Sequence, residues 1–84
     1  MGKYEKLMDQ ILRGGSDANI AFADLIRLLR RLGFAERTRS SHHIFRMAGV
    51  EEKINLQVDG SHAKPYQVRQ VRGIILKYRL GLDD

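Results

Sequence analysis

The chain contains no cysteine, which excludes a disulfide framework, a thiolate zinc site and a cysteine nucleophile. It also lacks a long apolar run, and charged residues occupy the segment MGKYEKLMDQ, where a signal peptide would have an apolar core. We therefore expect neither a membrane span nor secretion. The absence of cysteine fits the reducing cytoplasm, so the sequence predicts a cytoplasmic protein with no membrane contact.

Several motifs of enzyme chemistry are missing as well. The sequence has no phosphate-binding glycine loop and no nucleophile elbow. His42 and His43 are adjacent, so in a strand they point to opposite faces and do not readily chelate one ion. Glu51 and Glu52 fall in a predicted turn, where a solvated pair is expected. We predict no metal and no cofactor.

Positive charge is what the chain has in excess. Its 84 residues, enough for one compact domain, include 15 Lys and Arg against 10 Asp and Glu, a formal net charge of +5. A charge of this sign indicates a polyanionic partner, with RNA, DNA and an acidic protein as candidates. The alternative explanation of this positive charge is solubility alone.

The spacing of apolar residues predicts two helices in the first part of the chain. The first covers residues 4–12 and ends at Gly14, and residues 16–19 offer candidate caps for the second. We expect Gly33 to form a left-handed C-terminal cap, with Phe34 folding back onto the last turn. The apolar stripe of the second helix comprises Phe22, Leu25, Ile26, Leu29 and Leu32.

Strands are predicted next, followed by a third helix. Residues 34–39 suit a short edge strand, while residues 42–47 and 53–58 alternate between polar and apolar side chains on either side of a turn at 48–49. The last helix starts at Lys64-Pro65 and ends at Gly81. Its stripe comprises Val68, Val71, Ile75 and Tyr78.

This order of elements predicts an α+β fold. Residues 1–15 form an N-terminal helical extension, and residues 16–84 form an α-β-β-β-α domain. Its two helices cover one face of a three-stranded antiparallel sheet and leave the other face open. Double-stranded-RNA-binding domains have the same order, although a shared fold does not assign a function.

Strand alternation places His42 on the same side as Ile44 and Arg46, opposite Phe45. With Phe45 beneath the helices, His42 and Arg46 face outward. They would join Lys53, Asn55 and Gln57 of the next strand. Because Ile44 is also apolar, the reverse register remains an alternative.

A histidine on such a surface suits RNA cleavage, because imidazole both takes and gives a proton near neutral pH. On residue type alone, a lone histidine in a strand is more often a surface or hydrogen-bonded residue than a catalyst. His43 is expected to border the core, and His62 lies in a turn without a fixed partner.

Four segments together resemble the HicA family of bacterial and archaeal toxins. They are LIRLLRRLGF at residues 25–34, SHHIFR at 41–46, KINLQVDG at 53–60 and KPYQVRQVRGIILKYRL at 64–80. The resemblance implies a double-stranded-RNA-binding-like fold, mRNA cleavage without a metal, and neutralisation by a HicB-type antitoxin.

The resemblance also implies site residues. The family's active-site histidine follows a Gly-Ser pair, which places it at His42, although Ser40 stands here where the family usually has glycine. We expect contacts to RNA from Ser41, Arg46, Lys53 and Lys64. For Arg46 and Lys64, a plain solvated cation is the open alternative. Arg69 and Arg72 are candidates for contact with RNA or with an acidic antitoxin. Two other functions fit the same charge: a non-catalytic RNA- or DNA-binding module, and an interaction protein whose basic face binds an acidic partner.

Overall fold

In the computed structural model of the chain, residues 2–58 and 60–82 are described. Their elements are α1 (Lys3–Arg13), α2 (Phe22–Leu32), β1 (Ala35–Arg39), β2 (His42–Met47), β3 (Val50–Gln57) and α3 (Pro65–Tyr78). The fold is α+β, with helices and strands in the predicted order. The longest described helix has 14 residues, and none in these ranges is long and apolar enough to cross a membrane.

The three strands form one antiparallel sheet in the order β1-β2-β3. Arg39 pairs with His42, so only Ser40 and Ser41 connect β1 to β2. The pairing of β2 with β3 is regular from His42 to Phe45 and shifts before Met47. Because β2 is central, its side chains have neighbours on both strands.

One face of the sheet packs against the helices. Phe45, Ile54 and Leu56 are completely buried there. This confirms the predicted register, with Phe45 inward and His42 outward. Helical side chains that complete the core include Ile11 of α1, Leu25, Leu28 and Leu29 of α2, and Val68 and Val71 of α3. Each such side chain contributes about 1.5–3 kcal/mol by its burial, so the common core determines which face stays open.

Helix α1 belongs to this core. Leu7 and Ile11 are buried in it, and Arg72 of α3 donates through Nε to the Ile11 carbonyl at 2.7 Å. The Arg72 guanidinium also pairs with Asp17. These two contacts hold α1 against α3, so the structure assigns Arg72 a role in the fold, and its contact with RNA or an acidic partner stays a prediction.

The start of α2 differs from the prediction. The expected capping segment forms a short 3₁₀ turn, Asp17–Asn19, and α2 begins at Phe22 without a side-chain cap. The backbone N–H of Phe22 instead donates to the Ser61 carbonyl at 2.9 Å, and that of Ala63 donates to Ile20 at 2.8 Å. Pairing with a distant segment thus replaces the local cap.

Three further boundaries are corrected. Strand β3 starts at Val50, so Glu51 and Glu52 lie in the strand and not in a turn. Val58 lies outside β3 and is exposed. Helix α3 ends at Tyr78, before Gly81, because Arg79 adopts a left-handed conformation and the Leu80 N–H returns to the Ile75 carbonyl. The left-handed cap at Gly33 and the buried Phe34 are confirmed.

Candidate nucleic-acid interface

The face of the sheet away from the helices is polar and basic. A shallow depression of 570 Å³ lies on it, lined by Ala35, Glu36, Arg37, Arg39, Ile44, Arg46 and Lys53. The structure therefore brings Arg46 and Lys53 together, as predicted. It adds Arg37 and Arg39, which sequence reasoning missed. The signal was available, because the two arginines alternate with Glu36 and Thr38 along β1.

The cations of this face are not neutralised by neighbouring carboxylates. Within residues 2–58 and 60–82, Arg37, Arg39, Arg46 and Lys53 form no ion pair. By contrast, Arg30 on α2 pairs with Glu36. A group of unpaired cations on one open surface concentrates positive potential there and attracts a polyanion.

His42 lies at one end of this basic face, between Arg39 of β1 and Gln57 of β3. Its Nδ1 is 3.3 Å from Oδ1 of Asn55, and the side chain is half-buried. With the amide oxygen as acceptor, Nδ1 carries the proton and Nε2 has the lone pair. In this arrangement Asn55 contacts Nδ1 of His42 and leaves Nε2 without a partner among the described residues.

The turn before His42 has an unusual backbone. Ser40 has φ +52°, a left-handed conformation that glycine adopts without strain and serine does not. A two-residue hairpin requires positive φ in its loop, so the strain follows from the tightness of the β1–β2 turn. Ser41 is exposed beside it, and its carbonyl accepts from Val58 N–H at 3.1 Å.

Lys64 does not line the depression of the basic face. It precedes α3, whose first turn is tied to the sheet by Gln67, a completely buried side chain. Gln67 accepts from Lys64 N–H at 3.1 Å and donates to the Gln57 carbonyl at 3.4 Å. Because Gln57 pairs with His42, the start of α3 lies at the His42 end of the sheet.

The other two histidines lie elsewhere. His43 borders the core, as predicted, with its ring edge-on to Phe22 at 5.4 Å and its Nδ1 2.6 Å from Oε2 of Glu36. His62 bridges to Ala21, and its Nδ1 is 3.0 Å from Oγ of Ser61. The expectation that His62 lacks a fixed partner is therefore wrong.

Two carboxylates are committed to the fold. Burial acts to raise the pKa of Glu36, but hydrogen bonds from His43 and Arg30 outweigh it and lower that pKa below 4.5. Hydrogen bonds from Tyr78 and Lys77 lower the pKa of Glu52 to about 2.

In the described parts of the chain, no three His, Asp or Glu side chains are grouped as a metal site.

In comparisons with known proteins, no family model, no curated protein and no solved structure matches this chain. The resemblance to the HicA family therefore depends on the order and spacing of the sequence motifs alone. The geometry of the basic face is an independent observation.

Proposed function

We propose that the protein is a metal-independent endoribonuclease toxin of the HicA type, which cleaves mRNA with His42 as general acid and base. The observation that carries this proposal is the placement of His42, in contact with Asn55, at the end of a face whose four cations form no ion pair with the described residues. The α-β-β-β-α order after α1 supports the finer assignment of a double-stranded-RNA-binding-like fold.

The chemistry follows from the orientation of the imidazole. Nε2 of His42 removes the ribose 2′-hydroxyl proton, and the freed oxygen attacks the adjacent phosphorus. The bond from phosphorus to the 5′-oxygen then breaks, and His42, now acting as the acid, returns the proton from Nε2 to that oxygen. Arg39, directly across from His42 on β1, is placed to stabilise negative charge on the phosphorane.

The basic face also supports the proposed partner. A HicB-type antitoxin with an acidic surface would neutralise the unpaired cations and cover His42 in the same step. The antitoxin and RNA would then compete for one surface.

The test is incubation of wild-type and His42→Ala protein with labelled single-stranded RNA in excess EDTA. Because the His42 side chain is half-buried and outside the core, the variant should fold, which circular dichroism checks. We expect cleavage by the wild type only. His62→Ala is the matched control and should cleave normally, because His62 lies off the sheet. Equal cleavage by wild type and His42→Ala would overturn the assignment.

A second variant tests the role of Asn55. Asn55→Asp places a carboxylate against Nδ1 and stabilises the protonated imidazole, so the acidic limb of the kcat/KM profile should move to higher pH. An unchanged profile would contradict the proposed orientation of His42.

One observation favours the alternative of a non-catalytic binding module. His42 is the one histidine that the described structure places on the basic face. A binding module would bind RNA or DNA with strong salt dependence and leave the strand intact in the same assay.

A further inference from the structure

Tyr66 differs from the other aromatic residues of the chain. Phe22, Phe34 and Phe45 are buried, the Tyr4 ring lies 4.8 Å from the Arg31 guanidinium, and Tyr78 bonds to Glu52. The Tyr66 side chain is 53% exposed and makes no hydrogen bond or ring contact with the described residues. No role in the fold accounts for this ring.

The position of Tyr66 relates it to the proposed active site. It is the second residue of α3, directly before Gln67, which bonds to the Gln57 carbonyl. Gln57 is the cross-strand neighbour of His42. The buried Gln67 therefore holds the exposed tyrosine at the end of the sheet where His42 lies.

The surroundings of Tyr66 are cationic. Lys64 precedes it, and Arg69, one helical turn on, is exposed and forms no ion pair within residues 2–58 and 60–82. The next exposed apolar side chain on α3 is Leu76, ten residues away and about 15 Å along the axis. Tyr66 and Leu76 thus do not form one contiguous apolar patch of the kind that docks a protein.

We infer that Tyr66 is a base-stacking residue, with Arg69 beside it, for an unpaired nucleotide of the RNA that occupies the His42 site. An aromatic ring among cations is the usual surface for single-stranded RNA, because it stacks on a base while the cations contact the backbone. The basic face itself offers cations and amides but no aromatic ring. The substrate is therefore single-stranded at the cleavage site. This inference rests on the proposed function.

The test measures binding in a His42→Ala background, which prevents cleavage, with a fluorescein-labelled unstructured RNA of about 12 nucleotides. Adding Tyr66→Ala should weaken binding about tenfold or more, the usual effect of losing one stacked base. Tyr66→Phe should bind within about twofold of the parent, because the ring is kept. Leu76→Ala, another exposed apolar side chain of α3, is the matched control and should have no effect.

A duplex of the same sequence provides the second measurement. Paired bases are not free to stack on Tyr66, so Tyr66→Ala should leave duplex binding unchanged. Single-strand binding that is unaffected by Tyr66→Ala, or equally weakened by Tyr66→Phe, would overturn the inference. The inference would also be overturned if Tyr66→Ala lost binding to a copurified protein partner while its RNA binding stayed intact. If the His42→Ala parent binds no RNA at all, the inference and the proposed function both fail.

Discussion

Nδ1 of His43 lies 2.6 Å from Oε2 of Glu36, on the covered side of the sheet directly behind the basic face. Oε1 of the same carboxylate accepts from Nε of Arg30 on α2 at 2.6 Å. Glu36 thus joins the edge strand β1 to β2 and to α2. The residue after it is Arg37, so this contact also holds the strand that supplies Arg37 and Arg39 to the proposed site.

Replacing Glu36 by glutamine should destabilise the protein by about 1–3 kcal/mol, because the half-buried His43 and the exposed Arg30 both lose a charged acceptor that is itself only 12% exposed. Urea unfolding at pH 7 measures the change. Glu51→Gln is the matched control: Glu51 is exposed and its carboxylate has no partner in the described structure, so we expect no measurable change. Equal stabilities for the two variants would show that the Glu36 contacts contribute little.

The same residue predicts a pH dependence. The folded-state pKa of Glu36 lies below 4.5, so below pH 4.5 the unfolded chain binds more protons than the folded chain. The stabilisation from Glu36 is therefore complete above pH 4.5 and is lost as the pH falls through the folded-state pKa. The difference in free energy of unfolding between wild type and Glu36→Gln should shrink over that interval, as urea titrations from pH 7 to pH 3 would show.

Ser40→Gly should stabilise the protein by about 0.5–1 kcal/mol. Glycine relieves a left-handed strain of about 1–2 kcal/mol, and its greater freedom in the unfolded chain offsets part of the gain. Thermal unfolding should show a rise of a few degrees. Ser41→Gly is the matched control, since Ser41 does not have positive φ and should gain no stability. A fall in stability for Ser40→Gly would contradict the strain.

Neutralising Arg37 and Arg39 together should weaken RNA binding and lower its salt dependence. Each lost phosphate contact reduces the slope of log affinity against log salt by about 0.7 for a single strand. The double variant Arg37→Gln, Arg39→Gln should therefore lose up to about 1.4 from the slope. Arg31→Gln removes a cation that lies over Tyr4, away from the sheet, and should leave the slope unchanged. Equal slopes for all three proteins would exclude β1 from the interface.

Arg72→Met should loosen α1. The variant keeps most of the aliphatic stem but removes the donors to Ile11 and Asp17, at a cost of about 1–3 kcal/mol. Amide hydrogen exchange should then be faster in α1 than in the rest of the core. Arg69→Met, on the exposed side of α3, should leave both stability and exchange unchanged. Protection of α1 that is unaltered in Arg72→Met would contradict this role.

Much of the site could be predicted from local pattern. The alternation of residues 42–47 is enough to separate His42 from Phe45, because successive strand side chains point to opposite faces. The same rule applied to residues 35–39 puts Arg37 and Arg39 on one side of β1. That segment has no apolar side to mark its orientation, so only the pairing of Arg37 with Ile44 and of Arg39 with His42 shows that this side is the open face.

The sequence by itself determined the three helices, the three strands and the separation of Phe45 from His42 on opposite faces, since these follow from residue spacing along a short stretch of chain. The packed core decided that Phe45 is the one that faces inward. Only the tertiary structure decided which polar groups were left for function. Arg69 and Arg72 are two arginines of the same predicted helix, and the sequence does not distinguish them. Arg72 contacts the Ile11 carbonyl, 61 residues away in the chain, and Asp17, 55 residues away. The start of α2 was likewise decided by pairing with the segment around His62. Such contacts join residues far apart in the chain, so no local periodicity encodes them.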